Sequence, residues 1–191
     1  MEANQPHPDR HTADLHRGRW SASGLRYFIT CCLQRPATGL TSPLCAAAIR
    51  SAWQTLTADG DIVLECATIM PDHLHALLVL GQRLQLGRVV AKFKALTRTA
   101  LLANGVAWQR DFFEHQLRPD EHASPFARYI FLNPYRAGLL ERRASWTHTY
   151  LKPEHDFDFL AMLEEGLYPP AEWLALPADK LGLDLKIIGN D

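Results

Sequence analysis

The sequence lacks the features that mark several common protein classes. Its four cysteines contain no Cys-x-x-Cys pair, which argues against a zinc ribbon. Apolar stretches such as residues 76–80 are far shorter than a membrane span. The first twenty residues are polar and have no apolar signal-peptide segment. From these absences we expect a protein that is soluble and cytoplasmic.

A disulfide framework is also not expected. Cys31 and Cys32 are adjacent, so their α-carbons are closer together than an ordinary disulfide bridge prefers. Cys45 and Cys66 are scattered among apolar residues. We therefore interpret all four cysteines as reduced thiols of the core.

The chain has no overall excess of positive or negative residues, but the two kinds are distributed unevenly along it. The net charge is −1. Before Lys152 there are 17 basic and 12 acidic residues, and from Lys152 onwards there are 3 basic and 9 acidic ones. A basic body with an acidic tail is compatible with a surface that binds phosphates. A solvated surface followed by an acidic tail would give the same distribution.

Hydrophobic periodicity predicts an α+β fold. Residues 1–24 are expected to form a flexible arm, residues 25–150 the folded domain and residues 151–191 an acidic C-terminal tail. The domain is predicted to have strands at 25–33, 62–70, 73–80 and about 112–118, and helices at 43–56 and 84–103. A third helix is expected to end at Asn133, because Pro134 cannot continue it. This order predicts a ferredoxin-like split-βαβ arrangement with an antiparallel sheet and helices on one face.

The hairpin mouth carries the first candidate site, His73-Leu74-His75. Residues two apart on a strand point to the same face, so both imidazoles can reach one cation while Leu74 points into the core. Paired histidines on a strand are also common as ordinary polar surface. The pair is therefore a candidate metal site that needs a second observation.

The third predicted helix carries the second candidate site. Tyr129 and Asn133 are four residues apart, a spacing that places both side chains on one helix face. Asn133 offers an amide oxygen as a third metal ligand, and Tyr129 offers a hydroxyl that can attack a phosphate held there. A half-buried helix tyrosine and a helix-end asparagine before proline would show the same spacing.

The segment WQRDFFEHQLR, residues 108–118, combines aromatic and basic side chains. Its aromatic residues can stack on bases while Arg110 and Arg118 contact phosphates, although large aromatics at such positions are often core residues. Glu114 and His115 form a pair that can assist proton transfer, and a structural hydrogen bond is the alternative.

Four tracts together resemble the REP-associated tyrosine transposases, relatives of the single-tyrosine insertion-sequence transposases within the HUH endonuclease group. The tracts are YFITCCL, TIMPDHLHALLVL, AWQRDFFEHQLR and ARYIFLNPYRAGLL, and the resemblance spans about Leu25 to Trp146. The later GLYPPAEW resembles the C-terminal tail of this family.

The resemblance implies a metal-dependent endonuclease and strand transferase that cuts single-stranded DNA beside a hairpin through a 5′-phosphotyrosine intermediate. It makes His73 and His75 the HUH histidines, Tyr129 the nucleophile and Asn133 the third ligand of Mg²⁺ or Mn²⁺. Further phosphate contacts are expected at Lys92, Lys94 and Arg98, beside the apolar stripe of the second helix. The chain is expected to act as a monomer or a homodimer.

Two other functions remain open at this point. A DNA-hairpin-binding protein with vestigial catalysis would have the same basic body and the same folded site. A metal hydrolase that does not act on nucleic acid is the third alternative. Neither the zinc-deaminase pattern of His-x-Glu with Pro-Cys-x-x-Cys nor a Gly-x-Ser-x-Gly elbow is present.

Overall fold

The computed structural model describes residues 21–34, 37–153 and 157–175. Most of the predicted arm (1–24) and the end of the predicted tail lie outside these residues. The described elements, in chain order, are β1 (Arg26–Cys32), α1 (Pro43–Ala58), β2 (Ile62–Ile69), β3 (His73–Leu80), α2 (Leu86–Ala103), β4 (Phe113–Gln116), α3 (Ala123–Arg136), β5 (Thr149–Leu151), a 3-10 helix (Asp158–Met162) and α4 (Ala171–Ala175). The predicted β-α-β-β-α-β-α order is confirmed, and the elements after α3 are additional.

The strands form one antiparallel sheet in the order β4-β1-β3-β2-β5. Helix α1 connects β1 to β2 and helix α2 connects β3 to β4, and in both cases another strand lies between the two that are connected. This is the split-βαβ arrangement. The predicted α+β fold class with an antiparallel sheet is therefore confirmed, and β3 is its central strand.

The helices cover both faces of the sheet, which differs from the expected cover on one face. Helices α1 and α2 share a core with Ile29, whereas α3 shares a second core with Phe28. Both of these neighbouring β1 residues are 0% exposed. A strand that is buried on both faces has a nearly continuous apolar sequence, as RYFITCC does, and each face needs its own covering layer.

The three long helices end in the same way, at a glycine with positive φ. In α3 the amide of Gly138 donates to the Tyr135 carbonyl and the amide of Leu139 donates to the Pro134 carbonyl, both at 3.0 Å. This pair of bonds is a Schellman motif. It places the end of α3 at Arg136, so the prediction that the helix ends at Asn133 was wrong. Burial of Tyr135 in the core outweighs the one hydrogen bond that Pro134 removes.

The residues after α3 pack onto the sheet and onto α3. Strand β5 extends the sheet beside β2, and Phe159 and Trp173 join the core that α3 shares with Phe28. The described part of the predicted acidic tail therefore includes elements that bury apolar side chains. No helix among the described residues has the length and apolar content needed to cross a membrane.

Candidate metal and nucleophile site

The hairpin between β2 and β3 aims two histidines at α3. The Met70 amide donates to the His73 carbonyl at 2.8 Å and closes the turn, so β3 begins at His73. Leu74 points to the opposite face, into the core of α1 and α2. The ring centroids of His73 and His75 are 4.7 Å apart. The structure therefore brings both histidines to one place on one face, as their spacing predicts.

Each histidine uses one ring nitrogen within the protein and leaves the other without a hydrogen-bond partner. His73 Nδ1 lies 2.7 Å from Asp72 Oδ1, and His75 Nδ1 lies 2.8 Å from Thr30 Oγ1. Both Nε2 atoms are buried and have no hydrogen-bond partner in the described part of the chain. Buried polar atoms of a native protein normally have partners, so two neighbouring exceptions indicate a missing ligand.

The environment of His75 keeps its imidazole neutral. The residue is 0% exposed, and its ring stacks on Phe28 with the centroids 5.4 Å apart. Burial, followed by the nearby His73, holds the pKa of His75 well below its ordinary value. A neutral imidazole retains a nitrogen lone pair, which is the form that binds a metal.

Helix α3 places Tyr129 against these histidines. Its ring centroid lies 5.3 Å from that of His75 and 6.1 Å from that of Phe28. Ser124 and Pro125, which interrupt the helical pattern of the sequence, lie in the first turn of this helix after His122. A proline costs little there, because first-turn amides have no helical acceptor. The helix is therefore already established at Tyr129.

Asn133 lies one helical turn beyond Tyr129 and is 9% exposed. Residues four apart share a helix face, so its amide belongs to the side of α3 that carries Tyr129. Its backbone carbonyl accepts a hydrogen bond from the Ala137 amide at 3.0 Å, which keeps Asn133 in the helix despite Pro134.

These residues fit a divalent cation. No group of three His, Cys, Asp or Glu side chains that could hold a metal occurs in the described ranges. The candidate donors here are different, namely two imidazole nitrogens, with the Asn133 amide on the neighbouring helix as a further candidate. The two partnerless Nε2 atoms carry this interpretation. Nitrogen and oxygen donors of this kind suit Mn²⁺, and open positions filled by phosphate oxygens and water suit Mg²⁺.

Lys92 and Lys94 lie elsewhere and are used within the protein. Both belong to α2, which covers the other face of the sheet. Lys92 Nζ lies 2.6 Å from carboxylate oxygens of both Asp59 and Asp61. Lys94 Nζ donates to the backbone carbonyls of residues 109–111 at 2.9–3.2 Å. The structure does not bring these two predicted phosphate contacts to the histidines.

Arg98 and Arg110 line a cleft of about 400 Å³ beside α2, together with Trp108 and Leu102. Within the described residues, neither guanidinium forms an ion pair. Trp108 is 9% exposed and its indole donates to Thr97 Oγ1 at 2.8 Å, so most of this ring is core. Arg118 is exposed just after β4.

His115 has a partner that the sequence interpretation missed. Its Nε2 lies 2.9 Å from a Glu121 carboxylate oxygen, and its ring stacks on Phe126 with 5.5 Å between centroids. The expected partner, Glu114, is the residue just before His115 on β4, and neighbouring strand residues point to opposite faces. Thr30 was missed as well. The only signal for it was a hydroxyl within an otherwise apolar strand.

Comparisons with known proteins find relatives of this chain in sequence and in fold. No protein-family model matches the chain. A Haemophilus influenzae protein, provisionally named a REP-associated tyrosine transposase, is 27% identical over 92% of this chain and 98% of its own length. A solved structure of a REP-associated tyrosine transposase bound to a REP hairpin aligns with a TM-score of 0.60 and 22% identity, over 79% of this chain and 86% of that one.

The structural likeness shows the fold, an antiparallel α+β sheet shared with a transposase. The sequence likeness extends over nearly the whole chain. The sequence likeness confirms the resemblance to the REP-associated tyrosine transposases.

Proposed function

We propose that this protein is a metal-dependent single-strand DNA endonuclease and strand transferase of the transposase type. Its substrate is a single strand flanked by a hairpin, and its intermediate is a 5′-phosphotyrosine on Tyr129. The observation that carries the proposal is the contact between Tyr129 and His75, beside two histidine nitrogens without partners. The hairpin-bound state of the structural relative supports the same class of DNA substrate.

Each residue has a defined task in this chemistry. His73, His75 and Asn133 would hold the cation, which would supply positive charge that neutralises the charge developing on the phosphate. The Tyr129 oxygen forms a bond to phosphorus as its proton is lost, and the bond from phosphorus to the 3′ oxygen breaks. That 3′ oxygen takes up a proton and leaves as a hydroxyl.

The same site accounts for strand joining. The phosphodiester that is lost is replaced by a phosphotyrosine ester, so a 3′-hydroxyl can attack the phosphorus and release Tyr129 without ATP. The Phe28 ring, which contacts both His75 and Tyr129, shields this site from water and so protects the ester from hydrolysis. A 3′-hydroxyl from another strand gives transfer, and the original one gives resealing.

Contacts with the DNA backbone are proposed for arginines outside this site. Arg98 and Arg110 carry charges that no ion pair within the described residues neutralises, and Arg118 is exposed. Lys92 and Lys94 are weaker candidates because their ammonium groups already bind oxygens of the protein. We propose that the arginines supply the salt-dependent part of DNA binding.

A second candidate function is hairpin binding with vestigial catalysis. One observation favours it: Tyr129 is 5% exposed, so its packed neighbours have to move before the phenol can reach a phosphate. In this alternative the chain binds the same DNA and the site remains closed.

Trapping the covalent adduct distinguishes the two functions. The full chain is incubated with Mn²⁺ and an oligonucleotide that carries a hairpin with single-stranded flanks, denatured, and digested for mass spectrometry. We expect a phosphodiester-linked peptide modified at Tyr129. Binding without any adduct supports the second function, and an adduct at Tyr135 refutes the assignment of the nucleophile.

A further inference from the structure

The two histidines have different partners on their Nδ1 atoms, and both partners lie outside the proposed ligand set. Asp72 is the residue just before β3, and Thr30 lies on the neighbouring strand β1. We propose that Thr30 and Asp72 are positioning residues that hold His75 and His73 with the proton on Nδ1, so that both Nε2 lone pairs face the cation. The inference rests on the metal site of the proposed function.

The case for Asp72 follows from what a carboxylate can do. An ionised carboxylate only accepts hydrogen bonds, so the 2.7 Å contact requires His73 Nδ1 to donate. In a neutral ring the proton on Nδ1 leaves the lone pair on Nε2, the atom that is buried without a partner. Partners of this kind fix the ring orientation and raise the basicity of the ligand nitrogen.

The case for Thr30 needs a second observation, because a hydroxyl can donate or accept. If Thr30 donated to His75 Nδ1, the ring proton would be on Nε2, which is buried and has no acceptor in the described part of the chain. With Thr30 as acceptor, Nε2 carries a lone pair that a cation satisfies. The second arrangement leaves neither ring nitrogen of His75 unsatisfied once metal binds.

The sheet provides a matched control for Thr30. His75 lies in a cross-strand row, directly opposite Thr30 on one side and Thr68 on the other. Both threonines are buried. Thr68 Oγ1 lies 3.0 Å from Thr149 Oγ1, and no bond joins it to His75. Replacing either threonine by the isosteric valine removes one buried hydroxyl beside the same ring, but only Thr30→Val removes a partner of the ring.

The first experiment reads the tautomer directly, without metal or DNA. Long-range ¹H–¹⁵N NMR of the metal-free full chain distinguishes a protonated Nδ1 from a protonated Nε2. We expect His75 with its proton on Nδ1 in the parent protein and in Thr68→Val, and a shift towards Nε2–H in Thr30→Val. A parent His75 with its proton on Nε2, or an identical spectrum in Thr30→Val, overturns the proposal for Thr30.

The second experiment measures affinity for Mn²⁺ alone, from the electron paramagnetic resonance signal of free Mn²⁺. Removing such a partner typically weakens metal binding about 10–100-fold, which we expect for Thr30→Val. Thr30→Ser should restore affinity and Thr68→Val should match the parent. Asp72→Ala should lose less Mn²⁺ affinity than Thr30→Val, because the Asp72 carboxylate is 54% exposed and water can take its place beside His73.

These results separate the inference from the proposed function. Equal affinity in Thr30→Val and Thr68→Val, or no Mn²⁺ binding by the parent, overturns the positioning role toward metal. Thr30-dependent Mn²⁺ binding by a parent chain that forms no DNA adduct supports the positioning role and refutes the nuclease.

Discussion

The two faces of the sheet bury very different side chains. On the face covered by α1 and α2, Trp53 stacks on Phe93 with 4.2 Å between ring centroids, and the buried hydroxyl of Thr97 bonds to Trp108. On the face covered by α3, the buried side chains include Thr30, Thr68, His75 and Asn133. Polar groups are costly to bury, so their concentration on one face needs an explanation other than stability.

The difference indicates a division of roles. On the α1 and α2 face the buried Thr97 hydroxyl is satisfied within the protein. The buried atoms without partners there, within the described residues, are the Trp53 indole nitrogen and one oxygen of Asp61, whose other oxygen binds Lys92. On the α3 face, two histidine nitrogens remain without partners in the described residues. We infer that one face supplies most of the folding free energy and the other holds the chemistry. Each prediction below tests that division.

The largest effect is expected from Tyr129→Phe. The variant keeps the ring that packs on His75 but has no nucleophilic oxygen, so adduct and cleaved strand should fall to background while hairpin affinity stays near normal. Tyr135→Phe is the control, since that hydroxyl donates to the Ala144 carbonyl at 2.8 Å. Gel assays of adduct formation measure both. Cleavage by Tyr129→Phe at the parent rate would disprove the role of Tyr129.

Replacing His73 and His75 together by alanine should abolish Mn²⁺-dependent cleavage and leave the fold largely intact. His148→Ala is a matched control, because its Nδ1 is also buried without a partner in the described residues but no second imidazole is paired with it. Cleavage rates and circular dichroism measure the outcome. A double variant with full activity would defeat the metal assignment.

On the opposite face, Phe93→Ala should reduce stability without affecting metal binding. Phe93 is 1% exposed between Trp53 and Trp108, and truncating a buried phenylalanine costs about 3–5 kcal/mol. Urea unfolding gives the free-energy change, and Mn²⁺ affinity is measured where the variant is still folded. A large loss of affinity by the folded variant would show that the two faces are coupled.

Asn133→Ala should have a smaller effect than removing the histidines. Loss of one ligand weakens binding of the cation but leaves Tyr129 in place. We therefore expect activity to fall about 10–100-fold, a range typical for weakened metal sites, and to recover partly at high Mn²⁺. Titration of cleavage against Mn²⁺ measures this. Activity that is unchanged at low Mn²⁺ would exclude Asn133 as a ligand.

The smallest effect is expected at the cleft beside α2. Arg98→Gln with Arg110→Gln should weaken DNA binding and lower the slope of log affinity against log salt by about 0.7–0.9 for each phosphate that is no longer neutralised. Lys92→Gln is the comparison, because Lys92 is already bound to Asp59 and Asp61. If the arginine pair leaves the slope unchanged, the phosphates are bound elsewhere on the protein.

Much of the candidate site could be predicted because it depends on local periodicity. His73 and His75 share a face as soon as their segment is a strand, because they are two residues apart. Tyr129 and Asn133 share a face as soon as their segment is a helix, because they are four residues apart. Helices α1 and α2 end close to the predicted residues 56 and 103, just before Gly60 and Gly105, because glycine readily adopts the positive φ found there.

Partners across the sheet could not be predicted in this way. Thr30 meets His75 only because β1 pairs with β3 in one register, and His115 meets Glu121 only because the chain turns back after β4. Strand β5 is three residues long and carries almost no periodic signal. The end of α3 depended on Tyr135 being buried, which outweighed the local preference of Pro134.

By itself, the sequence determined which side chains share a face of each strand and helix, because backbone geometry sets those periods. It thereby offered the two histidines and the tyrosine–asparagine pair as separate candidates, and the family resemblance joined them into one set. Only the tertiary structure decided that α3 packs over the histidines while α1 and α2 occupy the other face. Strand order and register decide that placement, and both depend on contacts between residues far apart in the chain.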